Sequence, residues 1–336
     1  MIRFLLSVLS TCLLFYSLYN HANDEQSANL WSYNWENDFW VNDDGGYTNG
    51  FSYTWGYSIG KEGFSDENIP SWIHRITRDT PIATVKNKQR AMSFKIMQEM
   101  YTPDHTSRKE VNTEDRPYAG LLYWQGNMFA GSHYINDRLS LLLGFVGPPS
   151  LAKQSQKAAH SLIGANPPKG WKNQINTEPI FRLEAERVWR LGSITLGGDH
   201  EMDFITLVQG GVGNRKTDFG LGFGWRIGSG LANSFLNTSV NPATNMNPAM
   251  LPKHGDWHLF ITCMGTYVIN DITLNGNTFS NSHSVKLQRK LHIATAGGAI
   301  QLYRFTVNFT LSAVSEAFDV QQGTNQYGSL ALTYRW

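Results

Sequence analysis

Apolar and polar residues alternate with a period of two along most of this chain. The alternation is plainest at the C-terminal end, where Leu330, Leu332, Tyr334 and Trp336 interleave with small or polar residues. A strand sends successive side chains to opposite faces, so this pattern makes one face apolar. Runs of the same kind, bounded by Gly, Pro, Asn and Asp, predict strands near 30–38, 46–58, 91–100, 119–130, 137–146, 177–190, 193–209, 217–228, 257–269, 291–302, 304–314 and 326–336. The resulting even number, about twelve, suits a closed bacterial outer-membrane barrel, and an aromatic-ended terminal strand is how such barrels usually close. The predicted class is all-β, a closed antiparallel transmembrane β-barrel; a soluble β-sandwich is the competing reading of the same alternation.

One segment departs from this period. Between Leu151 and Gly164, helix formers place Leu151, Ala158, Ala159, Leu162 and Ile163 on one turn-related face, which predicts a short helix inside a loop. Tyr47, Phe51, Tyr53, Trp55 and Tyr57 carry the aromatic loading of a membrane girdle. With both termini in the periplasm, the connections at 39–45, 101–118 and 147–176 face outward. The connection at 59–90 then becomes a long periplasmic one, with an interfacial turn of helix at Pro70-Ser-Trp72-Ile-His74 to which no role is assigned. Asn233 to His254, rich in Asn and Pro, reads as another long loop.

The N-terminus supplies the route to that membrane. Met1-Ile-Arg3 followed by the apolar stretch Phe4 to Leu18 reads as a secretory signal peptide over residues 1–22, cleaved at Ala22 or as late as Ala28, before a barrel domain at 29–336. Cys12 lies inside the apolar run and not after it, which argues against a lipoprotein. Beyond the leader no run of about 18 apolar residues exists, so helical spans are excluded. Cys263 is then the only thiol, which removes intramolecular disulfides and Cys-based metal sites. Mean hydropathy of -0.33, 13% aromatics and 31 Gly fit strands divided between lipid and lumen. A net charge of +1 argues against nucleic acid as a partner.

Candidate chemistry gathers at the predicted outer rim. Glu36-Asn37-Asp38 and Gly45-Gly-Tyr-Thr48-Asn49-Gly50 bracket the first hairpin, and their carboxylate, amide, hydroxyl and carbonyl oxygens are hard ligands suited to Ca²⁺. Asn, Asp and Gly are equally what a plain turn demands. Arg108 and Lys109 are suited to clamp phosphate or carboxylate, or else are solvated; Asp115 and Arg116 read as structural. His160, on the predicted helix, is a candidate general base, although a lone histidine is more often a packing or surface residue. His254 and His258 would share a metal only on a helix, and their surroundings look like a strand. His105, His200, His283 and His292 have no persuasive companions. There is no Gly-x-Ser-x-Gly elbow, and Ser161, adjacent to His160, points about 100° away from it on a helix.

Taken together, NWENDFW (34–40), GGYTNGFSYTWGY (45–57), Tyr101-Thr-Pro103 with its basic pair, DRPYAGLLYW (115–124) and GFVGPPSLAKQSQKAAHSLIGANPPKGWKNQI (144–175) resemble the LpxR family of outer-membrane lipid A 3'-O-deacylases. The resemblance implies a twelve-stranded barrel with its site at the outer rim, between the wall and a loop helix, and calcium-dependent ester hydrolysis there. Carried over by motif, His160 is the catalytic histidine, Asn37, Asp38 and Thr48 surround the Ca²⁺, and Arg108 and Lys109 are the cations. The implied partners are lipid A or lipopolysaccharide and the surrounding outer-membrane lipids of a Gram-negative bacterium, met by a monomer. Two positions depart from the family pattern. Asn166 stands where a family member can carry an acid, leaving His160 without an acidic orienter, and the basic pair reads Arg-Lys where Lys-Arg is known. An outer-membrane phospholipase and a non-enzymatic barrel or channel are the alternatives.

Overall fold

The computed structural model describes residues 29–41, 46–61, 63–164, 166–235, 238–239, 245–250 and 252–336, so the predicted signal peptide lies outside the described residues. Twelve strands form one closed antiparallel barrel. They are β1 (Asn29–Asn37), β2 (Gly46–Gly60), β3 (Gln89–Thr102), β4 (Ala119–Gly131), β5 (Ile135–Val146), β6 (Glu178–Gly197), β7 (His200–Val212), β8 (Lys216–Ser229), β9 (Trp257–Asp271), β10 (Lys290–Leu302), β11 (Phe305–Val314) and β12 (Asn325–Arg335). Each pairs with its chain neighbours, and β1 closes on β12 from Leu30 opposite Arg335 to Asn37 opposite Gly328. Closure leaves no sheet edge, the condition for a backbone in lipid.

The period-two pattern sorts side chains between lipid and lumen. In β8, Phe219, Leu221, Phe223, Trp225 and Ile227 are exposed outward, while Asp218 and Arg226 are buried inward. The inward glycines of that strand make room for neighbours: a Cβ at Gly222 would lie 3.1 Å from Leu207 Cγ. Buried ion pairs help fill the lumen, among them Arg226 with Asp203 at 2.6 Å and Arg138 with Glu184 at 2.6 Å.

One predicted boundary is wrong. The sequence places a hairpin at 191–192, but β6 continues to Gly197 and β7 starts at His200. Gly192 sits at a register shift, a bulge that keeps the ladder going. The turn falls where Gly197 and Gly198 adopt φ of 119° and 58°, conformations that glycine takes without steric cost.

The first strand begins and the last strand ends at one rim, where the Asn29 amide donates to the Trp336 carbonyl at 3.0 Å. Three connections at that rim, at 132–134, 198–199 and 303–304, are very short, as periplasmic turns are. The other two are long, and each is folded against the barrel. The connection at 61–88 carries α1 (Ser71–Thr77) and α2 (Pro81–Thr84). The described part of the connection at 230–256 turns up into the lumen. Phe235, Ala249 and Met250 pack there on the inward residues Ala91, Phe129, Val188, Ile205, Leu207 and Met264. A cavity of about 10 Å³ lined by Arg226, Ser234, His258 and Thr262 is left beside it, room for about one water.

The predicted loop helix is present as α3 (Ala152–Ile163), with Leu151 before it in a left-handed conformation. Its buried face differs from the expected one. Ala152 and Gln156 are buried, whereas Leu151, Ala158 and Ala159 are exposed; the side chains of Leu162 and Ile163 lie outside the described residues. The reason is local: the helix lies on the barrel wall through its N-terminal turn, where only a small residue fits.

Candidate active site at the outer rim

At the end of β1, alternation separates three consecutive residues. Glu36 points into the lumen, where it is buried and accepts hydrogen bonds from Tyr47 Oη and from Asn34 Nδ2 at 3.2 Å. Asn37 belongs to the outward register, and Asp38 opens the 3-10 turn Asp38–Val41 and is 6% exposed. Trp40 anchors that turn, edge-on to Trp35 at 5.3 Å and to Phe309 at 5.6 Å. It lies against Gly328, where a Cβ would come within 2.6 Å of Trp40 Cβ. Thus Glu36, although adjacent in sequence, belongs to the interior and is removed from the oxygen set the first hairpin offers.

Thr48 escapes alternation because the β2–β3 register shifts between Tyr47 and Asn49. A bulge of this kind re-aims a side chain. Thr48 Oγ1 lies 2.7 Å from Thr102 Oγ1, and the Thr48 carbonyl accepts from Asn37 Nδ2 at 3.1 Å. The structure therefore brings Asn37 and Thr48 together directly, with Asp38 next to Asn37 in the chain; Gly45 lies outside the described residues. Thr102, fully buried at the end of β3, was not singled out from the sequence, although it lies inside the Tyr101-Thr-Pro103 motif.

α3 is held against the outer face of β3 and β4, the same β3 that ends in Thr102. Gly120 of β4 makes the approach possible, since a Cβ there would lie 2.2 Å from Ser150 Oγ and 2.4 Å from Ala152 Cβ. Gln98 Nε2 donates to the Ser150 carbonyl at 2.6 Å, and Met100, Tyr118, Ala152 and Trp171 form a small buried cluster. Trp171 Nε1 donates to Gln156 Oε1 at 2.6 Å. Ala152, Gln156 and His160 are four residues apart and share one helix face, so the two buried residues aim the third. His160 Nδ1 lies 2.7 Å from the Asn166 carbonyl. A carbonyl oxygen only accepts, so Nδ1 carries the proton, and in the neutral ring Nε2 is left with its lone pair. The orienter missing from the sequence is thus a backbone group.

Arg108 and Lys109 are exposed on the 103–118 loop. That loop is tied to the helix-bearing one: the Lys169 amide donates to the Thr106 carbonyl at 2.9 Å, and Asn173 Nδ2 donates to the Lys109 carbonyl at 2.7 Å. Backbone fixed and side chain exposed, Lys109 is positioned without being buried. Asp115 and Arg116 have the structural role expected of them. Asp115 Oδ1 accepts from the Arg116 amide at 2.7 Å, and the guanidinium lies 4.6 Å from the Tyr101 ring centre and 3.3 Å from Thr273 Oγ1. Burial pushes the Arg116 guanidinium below its ordinary value. His254 stacks on Tyr303 with ring centres 4.2 Å apart, and His258 lies on β9, so the two do not form a helical metal pair. No group of three His, Cys, Asp or Glu side chains gathers among the described residues. The oxygen set of Asp38, Asn37 and Thr48 fits a hard cation such as Ca²⁺ and not a transition metal that seeks nitrogen or sulfur.

A closed twelve-stranded barrel, lipid-facing on its outer wall and loaded with polar groups at the rim opposite Asn29 and Trp336, defines an outer-membrane protein of a Gram-negative bacterium. Residues 6–336 match the family described as "Outer membrane protein LpxR", and the chain belongs to that family. Among solved structures it is similar to LpxR from Salmonella typhimurium, with 18% identity and a TM-score of 0.68 over 92% of this chain and 99% of that one. It also matches the translocator domain of the autotransporter NalP from Neisseria meningitidis, with 9% identity and a TM-score of 0.38 over 98% of this chain and 95% of that one. No curated protein sequence matches the chain.

Proposed function

We propose that this protein is a calcium-dependent ester hydrolase that removes the 3'-acyloxyacyl chain of lipid A in the outer leaflet. The observation that carries this reading is the bond from His160 Nδ1 to the Asn166 carbonyl, on a helix seated against the barrel wall at the outer rim. It leaves Nε2 able to take a proton from water. The water oxygen attacks the ester carbonyl, and the same proton then passes from Nε2 to the departing sugar oxygen, giving a free fatty acid and an alcohol. General-base assistance of this kind is typically worth about 10² to 10⁴ in rate. Asp38, with Asn37 and Thr48, would hold calcium, which would supply Lewis-acid polarisation of the ester carbonyl. Arg108 and Lys109, exposed on the 103–118 loop, would meet lipid phosphate or the carbonyl oxygen in this reading, and removing one oxyanion donor costs on the order of 10² to 10³. The 3' position rests on family membership alone.

A phospholipase would use the same groups on a glycerophospholipid, and the two differ only in substrate. A channel is disfavoured by the filled lumen. The test is mass spectrometry of lipid A and of phospholipid incubated with the folded protein, with calcium, with chelator and with His160→Ala. Loss of one acyloxyacyl mass from lipid A alone, requiring calcium and His160, is the expected result. Unchanged lipid A with hydrolysed phospholipid would replace this reading by the phospholipase.

A further inference from the structure

The long connection at 61–88 has no part in the outer site, yet it is built with care. It lies at the periplasmic rim, outside the barrel. Ile69, Ile73 and Ile82 pack on Met92 of β3 and on Met128 and Ala130 of β4, with Tyr57, Phe94 and Leu139 beside them. Met92, Met128 and Tyr57 belong to the outward register, the one that continues into lipid-exposed Ile96. Arg90 fastens the segment by donating to the carbonyls of Val85 at 2.5 Å, Lys88 at 3.1 Å, Ala83 at 3.2 Å and Lys61 at 3.4 Å. Tyr57 Oη adds a bond to the Asn68 carbonyl at 2.8 Å.

α1 buries Ile73 and Thr77 against the wall, so Trp72, Arg75 and Ile76 share the opposite face. Trp72 is 49% exposed and Ile76 66% exposed. An indole, a large aliphatic and a guanidinium on one face suit the boundary between headgroups and acyl chains, where aromatic rings gather and cations meet phosphate. Water alone would leave that apolar surface without a partner. The wall on which the segment packs, through Tyr57, Met92, Met128 and Leu139 of β2–β5, is itself lipid-facing, with Ile96 and Leu143 exposed farther along it.

We infer that α1 is an interfacial anchor whose outer face inserts into the inner phospholipid leaflet, with Trp72 and Ile76 at the headgroup–acyl boundary and Arg75 on a lipid phosphate. The occupant is glycerophospholipid, not lipid A, because the segment sits at the rim where Asn29 and Trp336 meet, the one with the very short turns.

The test is site-directed spin labelling of Ile76→Cys, and separately Trp72→Cys, each with Cys12→Ser and Cys263→Ser, after reconstitution of the protein into vesicles of phosphatidylethanolamine and phosphatidylglycerol. Folding is checked by heat-modifiable gel migration. The expected result is a nitroxide relaxed more strongly by oxygen than by a water-soluble nickel chelate, at both sites. Stronger relaxation by the chelate means a solvated face, and weak relaxation by both means a protein contact; either overturns the inference. Native mass spectrometry of Arg75→Gln should show several-fold less retained phosphatidylglycerol than the parent protein. Equal retention would remove the phosphate contact.

Discussion

His160 obtains its tautomer from a carbonyl, and this has a consequence that an acidic orienter would not. A backbone acceptor does not depend on the residue's side chain, so Asn166→Ala should keep activity within a few-fold, whereas His160→Ala should lose about 10² to 10⁴. Rates of acyl release from lipid A for the two variants check this, and a large loss in Asn166→Ala would assign the role to the Asn166 side chain. Asp38 is the single carboxylate of the proposed cation set, and sites poor in charged ligands bind Ca²⁺ at about 10⁻⁴ to 10⁻³ M. Asp38→Asn should therefore abolish calcium-dependent activity at millimolar calcium, measured as acyl release against calcium concentration. Retained calcium dependence with an unchanged midpoint would take Asp38 out of the set. Identity at these positions was legible in the sequence; orientation was not. Nothing in the letters Glu36-Asn37-Asp38 shows which of the three faces the lumen until the register against β2 and β12 is set.

At the scale of elements, the outer site depends on the first turn of α3 meeting a strand of the wall. Gly120 permits that contact, because a side chain there would strike Ser150 and Ala152. Gly120→Val should lift the helix start and misplace His160 two turns later, lowering turnover by 10²-fold or so, since small misplacements at a reacting centre cost about that much. The barrel should still fold, because valine suits a strand. Heat-modifiable migration together with turnover separates the two effects, and wild-type turnover in Gly120→Val would mean that α3 does not position the base. The twelve strands were legible because their alternation is set by lipid on one side and a packed lumen on the other. The hairpin after β6 was not, since Gly192 can mark a bulge as readily as a turn and only pairing with Phe204 decides between them. The buried face of α3 was equally hidden. Its apolar residues suggest one face, but the small wall contact at Ala152 and the Gln156–Trp171 bond select another.

For the whole molecule, the decisive feature is a barrel closed from within. The 230–256 connection places Phe235 and Met250 among inward residues of five strands, and Pro248 Cγ would lie 2.7 Å from a Cβ at Gly56. Parity alone makes this segment a periplasmic loop; its apolar residues among many Asn and Pro were the sign that it does not stay in water. Truncating a fully buried phenylalanine typically costs about 3 to 5 kcal/mol. Phe235→Ala should accordingly lower the urea midpoint of unfolding in lipid vesicles while leaving acyl release from lipid A intact, because the plug and the outer site share no residue. Conductance in planar bilayers gives the complementary measurement. The wild type should show no steady ion current, and replacing 231–250 by a short turn should open one, since the lumen beneath is lined by Thr, Ser, Arg and Asp. A steady current through the wild-type barrel would mean that the plug leaves the lumen in the membrane, and would return the channel reading to consideration.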